Sequence, residues 1–108
     1  MKKLIASLLL PLVALPLQAA EPVEKLMDEA RCYACHQLKD TLIGPPWQAI
    51  AARHVANRKL MLDVLARKIV RGGGGDWGDV PMVPNEFTSI DEARAMASWI
   101  LDQQPKQK

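Results

Sequence analysis

The sequence has few aromatic side chains and few cysteines. Its 108 residues contain 5% aromatics and two cysteines, against 49% apolar residues overall. Two cysteines are too few for a disulfide-rich scaffold, and the length is that of one domain rather than two. The formal net charge of +2 is too small to indicate a nucleic-acid-binding protein. The apolar fraction is ordinary for a folded domain and argues against disorder.

Residues 1–20 have the pattern of a secretory signal peptide. Two lysines precede an apolar run over residues 4–17, and the small residues Ala19 and Ala20 follow it. The run is shorter than the roughly 20 residues of a membrane-spanning helix. We therefore expect cleavage near Ala19 or Ala20 and export to the periplasm, with a retained N-terminal anchor as the alternative.

Cleavage would leave one domain over residues 21–108, a chain of 88 residues with no membrane span. Removing Lys2 and Lys3 from the 14 basic residues leaves 12, against 12 acidic residues, so the mature chain is neutral. A chain of this length with few aromatics has little material for a hydrophobic core. We expect it to need a stabilising group beyond its own side chains.

The mature region has apolar spacing typical of four helices and no convincing strand pattern. The first helix begins at Pro22, a favoured first-turn residue, and continues towards the cysteines. Residues 37–46 contain a Gly-Pro-Pro loop signal, and a short second helix covers Trp47 to His54.

The second half of the chain carries clear helix-end signals. Asn57 is a candidate N-cap for a third helix that ends near Gly72. Residues 72–86 form a loop rich in glycine and proline, and Ser89 with Glu92 then forms a capping-box pattern before the last helix. The prediction is an all-α domain whose long loops enclose a space that another group must fill.

The segment Cys32-Tyr33-Ala34-Cys35-His36 is a CxxCH motif, the attachment signal of a c-type haem. Cysteines three residues apart lie on one side of a helical turn, so both sulfurs can bond the vinyl groups of one porphyrin. The next residue can then place its imidazole beneath the iron. Covalent attachment also requires export, which the predicted signal peptide supplies.

Other uses of the two cysteines fit the sequence less well. A thioredoxin-like pair would need a βαβ context, which the pattern lacks. Structural zinc would need a full tetrahedral set of ligands, but His54 is the only other histidine and no further cysteine exists. A disulfide between Cys32 and Cys35 would leave His36 unexplained. The motif therefore favours haem.

The second axial ligand of the iron has several candidates, namely His54, Met27, Met61, Met82 and Met96. The other methionines lie in helical patterns, where methionine commonly fills the core, and His54 lies among polar residues typical of a surface. Met82 differs because it lies between two prolines in the loop 79–84, which stiffen the backbone around it. We predict that Met82 is the ligand; a packing methionine, with another ligand or none, is the alternative.

The mature chain resembles a small bacterial class I cytochrome c of the c-551 type over residues 21–104. The order and spacing of several segments around CxxCH carry this resemblance. In addition to the motif, they are Ile43-Gly44-Pro45, Trp77-Gly78, Pro81-Met82, Pro84-Asn85, Asp91-Glu92-Ala93 and Trp99-Ile100-Leu101. The resemblance implies the cytochrome c fold: four to five helices wrapped around one covalently bound haem, with the N- and C-terminal helices packed together.

The resemblance also implies the bonds to the haem. Cys32 and Cys35 would form the covalent thioethers, and His36 and Met82 would be the axial ligands of the iron. Trp47 and Trp99 would pack in the core, at the haem crevice and at the contact of the terminal helices.

Further residues would tune the haem by the same resemblance. The carbonyl of Pro45 would accept the N–H of the histidine ligand, and Asn85 would hydrogen-bond near the methionine sulfur. Trp77 would donate its indole N–H to a haem propionate, joined by Lys68, with Arg71 nearby. An ordinary core tryptophan and a solvated lysine are the alternatives for Trp77 and Lys68.

Two segments depart from the family pattern. Residues 72–75 are four consecutive glycines, so we expect a mobile loop. Asp79-Val80 replaces a more apolar stretch beside Met82, so the family pattern does not predict how exposed the haem is there.

Two filled axial positions leave no open site for substrate, which predicts one-electron transfer rather than catalysis. The resemblance implies a monomeric periplasmic carrier that docks transiently with redox proteins. Its donor would be a quinol-oxidising complex, and its acceptor a nitrite reductase, a peroxidase or a haem–copper oxidase. The alternatives are a gas-binding or weakly catalytic haem protein whose loop 72–86 releases Met82, and a dedicated haem subunit of an enzyme complex.

The charges are unevenly distributed along the chain. Basic residues dominate the segment 53–71, and acidic residues dominate 76–102. This predicts a dipolar molecule that orients a redox partner, with an effect that salt weakens. Two solvated helix faces are the alternative.

Overall fold

The computed structural model describes residues 2–15 and 21–105, and this part of the chain is all-α. The helices are α1 (Val23–Glu29), α2 (Trp47–His54), α3 (Arg58–Arg71) and α4 (Ile90–Leu101). Short 3₁₀ turns lie at Cys32–Ala34 and Val55–Asn57. Two isolated antiparallel bridges, His36–Thr41 and Gly73–Met82, close the two long loops.

The predicted capping box is confirmed at the start of α4. The Ser89 hydroxyl accepts the Glu92 N–H at 3.1 Å, and the Glu92 carboxylate accepts the Ser89 N–H at 2.9 Å. Gly72 ends α3 with φ of 68° and donates its N–H to the Lys68 carbonyl at 2.7 Å. These interactions satisfy backbone groups that a helix end leaves unpaired.

Asn57 is the predicted N-cap of α3, and the structure confirms its position but not a side-chain capping hydrogen bond. The 3₁₀ turn Val55–Asn57 continues the chain from α2 into α3 and gives Asn57 a ψ of 28°. A capping side chain needs the extended backbone that places its oxygen over the first amides. Pro22 likewise precedes α1 as its N-cap rather than lying in its first turn.

Helix α4 is the centre of the core, since α1, α2 and α3 all pack against it. Small residues lie at these contacts and let the helices approach closely: Ala66, Ala93 and Ala97 are each 0% exposed. The larger buried core residues are Met27, Trp47, Ile50, Ile69, Met96 and Ile100. Burial of this apolar surface holds the four helices together.

The two terminal helices meet through tryptophan. Trp99 on α4 is half-buried and donates its indole N–H to the Glu24 carboxylate on α1 at 3.0 Å. Its ring lies edge-on to Trp47, with centroids 6.0 Å apart. Trp47 is 3% exposed and belongs to the core, as predicted. Edge-on aromatic pairs of this kind add to the apolar burial.

The basic and acidic segments pair with each other in the folded chain. Arg58 lies 2.8 Å from Asp102, Arg94 lies 2.9 Å from Asp63, and Lys68 lies 3.1 Å from Asp76. Two of these pairs join α3 to α4 or its C-terminal end. Folding therefore pairs charges that are separate along the sequence.

Residues 2–15 contain no helix or strand, and their leucines are exposed. The predicted cleavage site at Ala19 or Ala20 lies outside the described residues. In the described ranges no helix is both long enough and apolar enough to cross a membrane.

Candidate functional site

A cavity of about 910 Å³ opens beside the 3₁₀ turn Cys32–Ala34 and is largely apolar. Helices α2, α3 and α4, the loop 37–46 and the loop 72–86 contribute the rest of its walls. Its volume lies towards the upper end of the range for cofactor sites, about 300–1,000 Å³. The long loops predicted an enclosed space that another group fills, and this cavity is such a space.

Both cysteines line this cavity, and they form no disulfide with each other. Helix α1 stops at Glu29, before the motif, because Arg31 adopts a left-handed conformation with φ of 60°. The chain then tightens into a 3₁₀ turn in which the Cys32 carbonyl accepts the N–H groups of Cys35 and His36. Burial raises the pKa of the Cys32 thiol. The motif therefore occupies its own tight turn rather than the end of a longer helix.

His36 is 8% exposed, and its ring has a defined orientation. Its Nδ1 atom lies 2.7 Å from the Pro45 carbonyl oxygen. A carbonyl can only accept, so Nδ1 carries the proton and Nε2 keeps its lone pair. The ring also stacks on Trp47, with centroids 4.4 Å apart and planes inclined by 20°. This is a histidine prepared to donate to a metal through Nε2.

Gly44 makes that orientation possible, and sequence analysis missed this role. A Cβ at Gly44 would lie 2.6 Å from Cε1 of His36 and 2.9 Å from its Nδ1. Ile43 and Gly44 also donate their N–H groups to the Cys35 carbonyl, at 3.2 and 2.7 Å. The sequence signal at this position is the Gly-Pro pair that follows CxxCH, which indicates a loop. It does not show that the ring of His36 packs against the backbone of Gly44.

Met82 lines the cavity from the loop 72–86. Gly73 and Met82 exchange two backbone hydrogen bonds, each 2.9 Å long. Gly72, with φ of 68°, packs so closely on this segment that a Cβ would meet the Met82 carbonyl oxygen and lie 2.9 Å from the Val83 carbonyl carbon. Two of the four glycines thus clamp the methionine segment to the end of α3.

The other candidate ligands take different positions. Met27 is 0% exposed in the core, while Met96 is 2% exposed in the core and also borders the cavity. Met61 borders the cavity from α3. His54 was expected at the surface, but the structure places it half-buried at the cavity wall. Burial, together with the charge of Arg53, lowers the pKa of His54.

The predicted tuning residues all line the cavity, with partners the sequence did not reveal. Asn85 donates its side-chain amide to the Ile69 carbonyl at 3.0 Å. Lys68 pairs with Asp76. Trp77 is 44% exposed rather than buried in the core, and the Arg53 guanidinium lies 4.6 Å from its ring centroid.

The charged lining of the cavity is mostly cationic. Among the described residues, Asp76 is the one acidic lining residue, against Arg31, Arg53, Arg67, Lys68 and Arg71. A largely apolar cavity with basic groups at its edge suits a flat apolar group that carries carboxylates. Together with two cysteines and an oriented imidazole, these features match the chemistry of haem.

Comparison with known proteins decides the family. The family model described as Cytochrome c matches residues 20–104. The chain belongs to the cytochrome c family. Cytochrome c-552 of Hydrogenobacter thermophilus is 45% identical over 78 residues, which cover 72% of this chain and 78% of the relative. Cytochrome c-551 of Azotobacter vinelandii is 37% identical over 81 residues, covering 75% of this chain and 96% of the relative.

A solved structure agrees with this assignment. The crystal structure of wild-type Nitrosomonas europaea cytochrome c552 is 38% identical and superposes with a TM-score of 0.69. The match covers 75% of this chain and 99% of that one. As a small class I monohaem cytochrome c, the chain carries one covalently bound haem and is an electron carrier rather than an enzyme. The haem supplies a one-electron ferric–ferrous couple.

Proposed function

We propose that this cytochrome c is a periplasmic one-electron carrier with histidine–methionine ligation. Cys32 and Cys35 would form the thioethers, and His36 and Met82 would be the axial ligands. The observation that carries the proposal is that all four side chains line one cavity. Filling both axial positions leaves the iron no open position for a substrate, and the thioether ligand favours the ferrous state.

On this proposal, Pro45 and Trp47 set the orientation of the histidine ligand. The Pro45 carbonyl holds the Nδ1 proton, which fixes the tautomer and strengthens Nε2 as a donor. Stacking on Trp47 fixes the plane of the ring. A ligand held by both contacts needs little rearrangement when the charge of the centre changes.

Asn85 would stabilise the methionine side of the site. One N–H of its amide is bound to the Ile69 carbonyl, and the amide has a second N–H that we assign to the Met82 sulfur. Its backbone N–H also donates to the Ile69 and Val70 carbonyls, at 3.3 and 3.2 Å. These bonds hold the loop against α3.

Trp77 and Lys68 would bind a haem propionate. Both residues line the cavity, and Lys68 is one of its basic residues. An indole N–H and an ammonium group are suitable donors to a carboxylate.

The electron donor and acceptor would dock transiently where apolar side chains surround the cavity opening. Ile43, Val80 and Val83 line the cavity and are 59%, 66% and 70% exposed. Small, short-lived interfaces are typical of redox partners. We propose a monomer, exported through the signal peptide over residues 1–20. It would accept electrons from a quinol-oxidising complex and pass them to a terminal reductase such as nitrite reductase, a peroxidase or an oxidase.

The ferric near-infrared band that arises from sulfur-to-iron charge transfer tests the ligand assignment. Met82→Ala should abolish this band, whereas Met61→Leu, at another half-buried methionine of the cavity lining, should retain it. A band that survives Met82→Ala would show that the assignment is wrong. Carbon monoxide added to the native ferrous protein tests carrier against gas-binding function: rapid binding would contradict the carrier.

A further inference from the structure

The edge of the cavity carries a cluster of interacting side chains, which we call the rim cluster: Arg53, His54, Lys68, Asp76 and Trp77. Asp76 is at its centre. Its carboxylate accepts a hydrogen bond from Lys68 Nζ at 3.1 Å, and its backbone carbonyl accepts one from Arg53 Nη1 at 2.8 Å. Asp76 thereby connects α2 and α3 to the loop that carries Met82.

The charge of Asp76 is opposite to that of its surroundings. The described part of the cavity lining contains five lysine and arginine residues and this single carboxylate. The proposed function assigns Lys68 to a haem propionate, yet the structure pairs Lys68 with Asp76. Two carboxylates, one from the protein and one from the cofactor, therefore compete for the same ammonium group.

We propose that Asp76 is a positioning residue that lowers the reduction potential of the haem by occupying Lys68. This inference rests on the proposed function, in which Lys68 faces a propionate. Reduction adds one negative charge to the haem and breaks no bond. A cation near the haem therefore favours the reduced state. A lysine whose charge is compensated by Asp76 provides less of that stabilisation.

Solvent exposure limits the size of this effect and makes it depend on the salt concentration. The side chains of Lys68 and Asp76 are 30% and 67% exposed. Electrostatic effects between exposed charges are screened by salt, since the Debye length falls from roughly 30 Å at 0.01 M to roughly 3 Å at 1 M. The contribution of Asp76 should therefore decrease as salt is added.

Optical redox titration of the haem-loaded protein tests the inference. Asp76→Asn should shift the midpoint to a higher potential at low salt, and the shift should shrink at high salt. Asp79→Asn is the matched control, because Asp79 lies on the same loop, is exposed and is outside the cavity lining. Equal shifts in the two variants, or no shift in Asp76→Asn, would overturn the inference.

A double-mutant cycle tests the route through Lys68. In a Lys68→Gln background, Asp76→Asn should produce less than half of the shift that it produces in the native background. An undiminished shift would show that Asp76 acts without Lys68, and would also overturn the inference.

His54 provides a readout independent of the potential. The charge of Asp76 acts to raise the pKa of His54, against the lowering by burial and Arg53. NMR titration of the diamagnetic ferrous protein should show a lower pKa of His54 in Asp76→Asn than in the native protein. The pKa of His54 should be unchanged in Asp79→Asn. An unchanged His54 in both variants would count against the inference.

The near-infrared band separates this inference from the proposed function. Absence of the band in the native protein would overturn the proposed function itself. A band present in the native protein but lost in Asp76→Asn would make Asp76 a brace for the loop, and would overturn only the electrostatic role proposed for it.

Discussion

The imidazole ring of His36 lies against the backbone of Gly44, where a Cβ atom would stand 2.6 Å from Cε1. Gly44 has no positive φ, so the reason for glycine at this position is the ring and not the backbone conformation. The same ring is bound to Pro45 and stacked on Trp47. It therefore has little freedom to move away from an added methyl group.

Gly44→Ala should destabilise the haem-loaded protein by about 1–3 kcal/mol, the usual cost of overpacking. It should also displace the histidine ring and change the absorption spectrum. Guanidinium unfolding and Soret spectroscopy measure the two effects. Gly78→Ala is the control, since it introduces strain at φ of 121° with nothing within 4 Å and should leave the spectrum unchanged. A native spectrum and native stability in Gly44→Ala would contradict the close approach.

Gly72→Ala should loosen the methionine ligand. The substitution forces a side chain into φ of 68° and ψ of −158°, a region populated essentially by glycine, and against the Met82 carbonyl, so we expect a loss of about 1–3 kcal/mol from the backbone alone. Carbon monoxide should bind the ferrous variant faster than the native protein. Gly75→Ala, at φ of 97° in open space, has the strain without the contact and should keep the native rate. Equal rates in both variants would rule out a clamp at Gly72.

Met27→Ala should destabilise the fold by about 2–5 kcal/mol, because it removes a fully buried side chain between α1 and α4. Leu60→Ala is the matched control. Leu60 is 68% exposed on α3, so its truncation should change stability by no more than about 0.5 kcal/mol. Guanidinium unfolding of both haem-loaded variants gives the comparison, and similar losses would place Met27 outside the core.

His54 should make stability depend on pH. Its pKa is lowered in the folded chain from the ordinary value of 6.5, so the unfolded chain binds more protons just below that pH. Stability should therefore fall as the pH falls through 6.5 towards the lowered pKa, and this contribution is absent at higher pH. His54→Gln should flatten the profile between about pH 7 and 5, above the ordinary carboxylate pKa values. An unchanged slope in the variant would show that other groups cause the pH dependence of stability.

Local patterns predicted a good part of this molecule. The bounds of α2, the Gly72 end of α3 and the capping box at Ser89 depend on residues within one or two turns, so the sequence contains the whole signal. The CxxCH motif belongs to the same class, since its spacing alone indicates the cofactor.

The contacts that shape the site were beyond sequence analysis. The Gly44–His36 contact and the Gly72–Met82 contact depend on how separate segments meet, and the local patterns at the two glycines do not indicate these contacts. The Lys68–Asp76 pair joins a helix to a loop, and it gives Lys68 a protein partner that the sequence did not reveal. The other ion pairs between the segments 53–71 and 76–102 were missed for the same reason, because folding brings together charges that the sequence separates.

The bridge between Gly73 and Met82 provides a way to measure the opening of the segment that carries Met82. Each residue donates its amide hydrogen to the other, so neither amide can exchange with solvent deuterium while the bridge is closed. The exchange of these two amides therefore reports how readily the methionine segment detaches from α3 in the folded protein. This measurement follows the opening of the Met82 segment without a substitution and without an added gas.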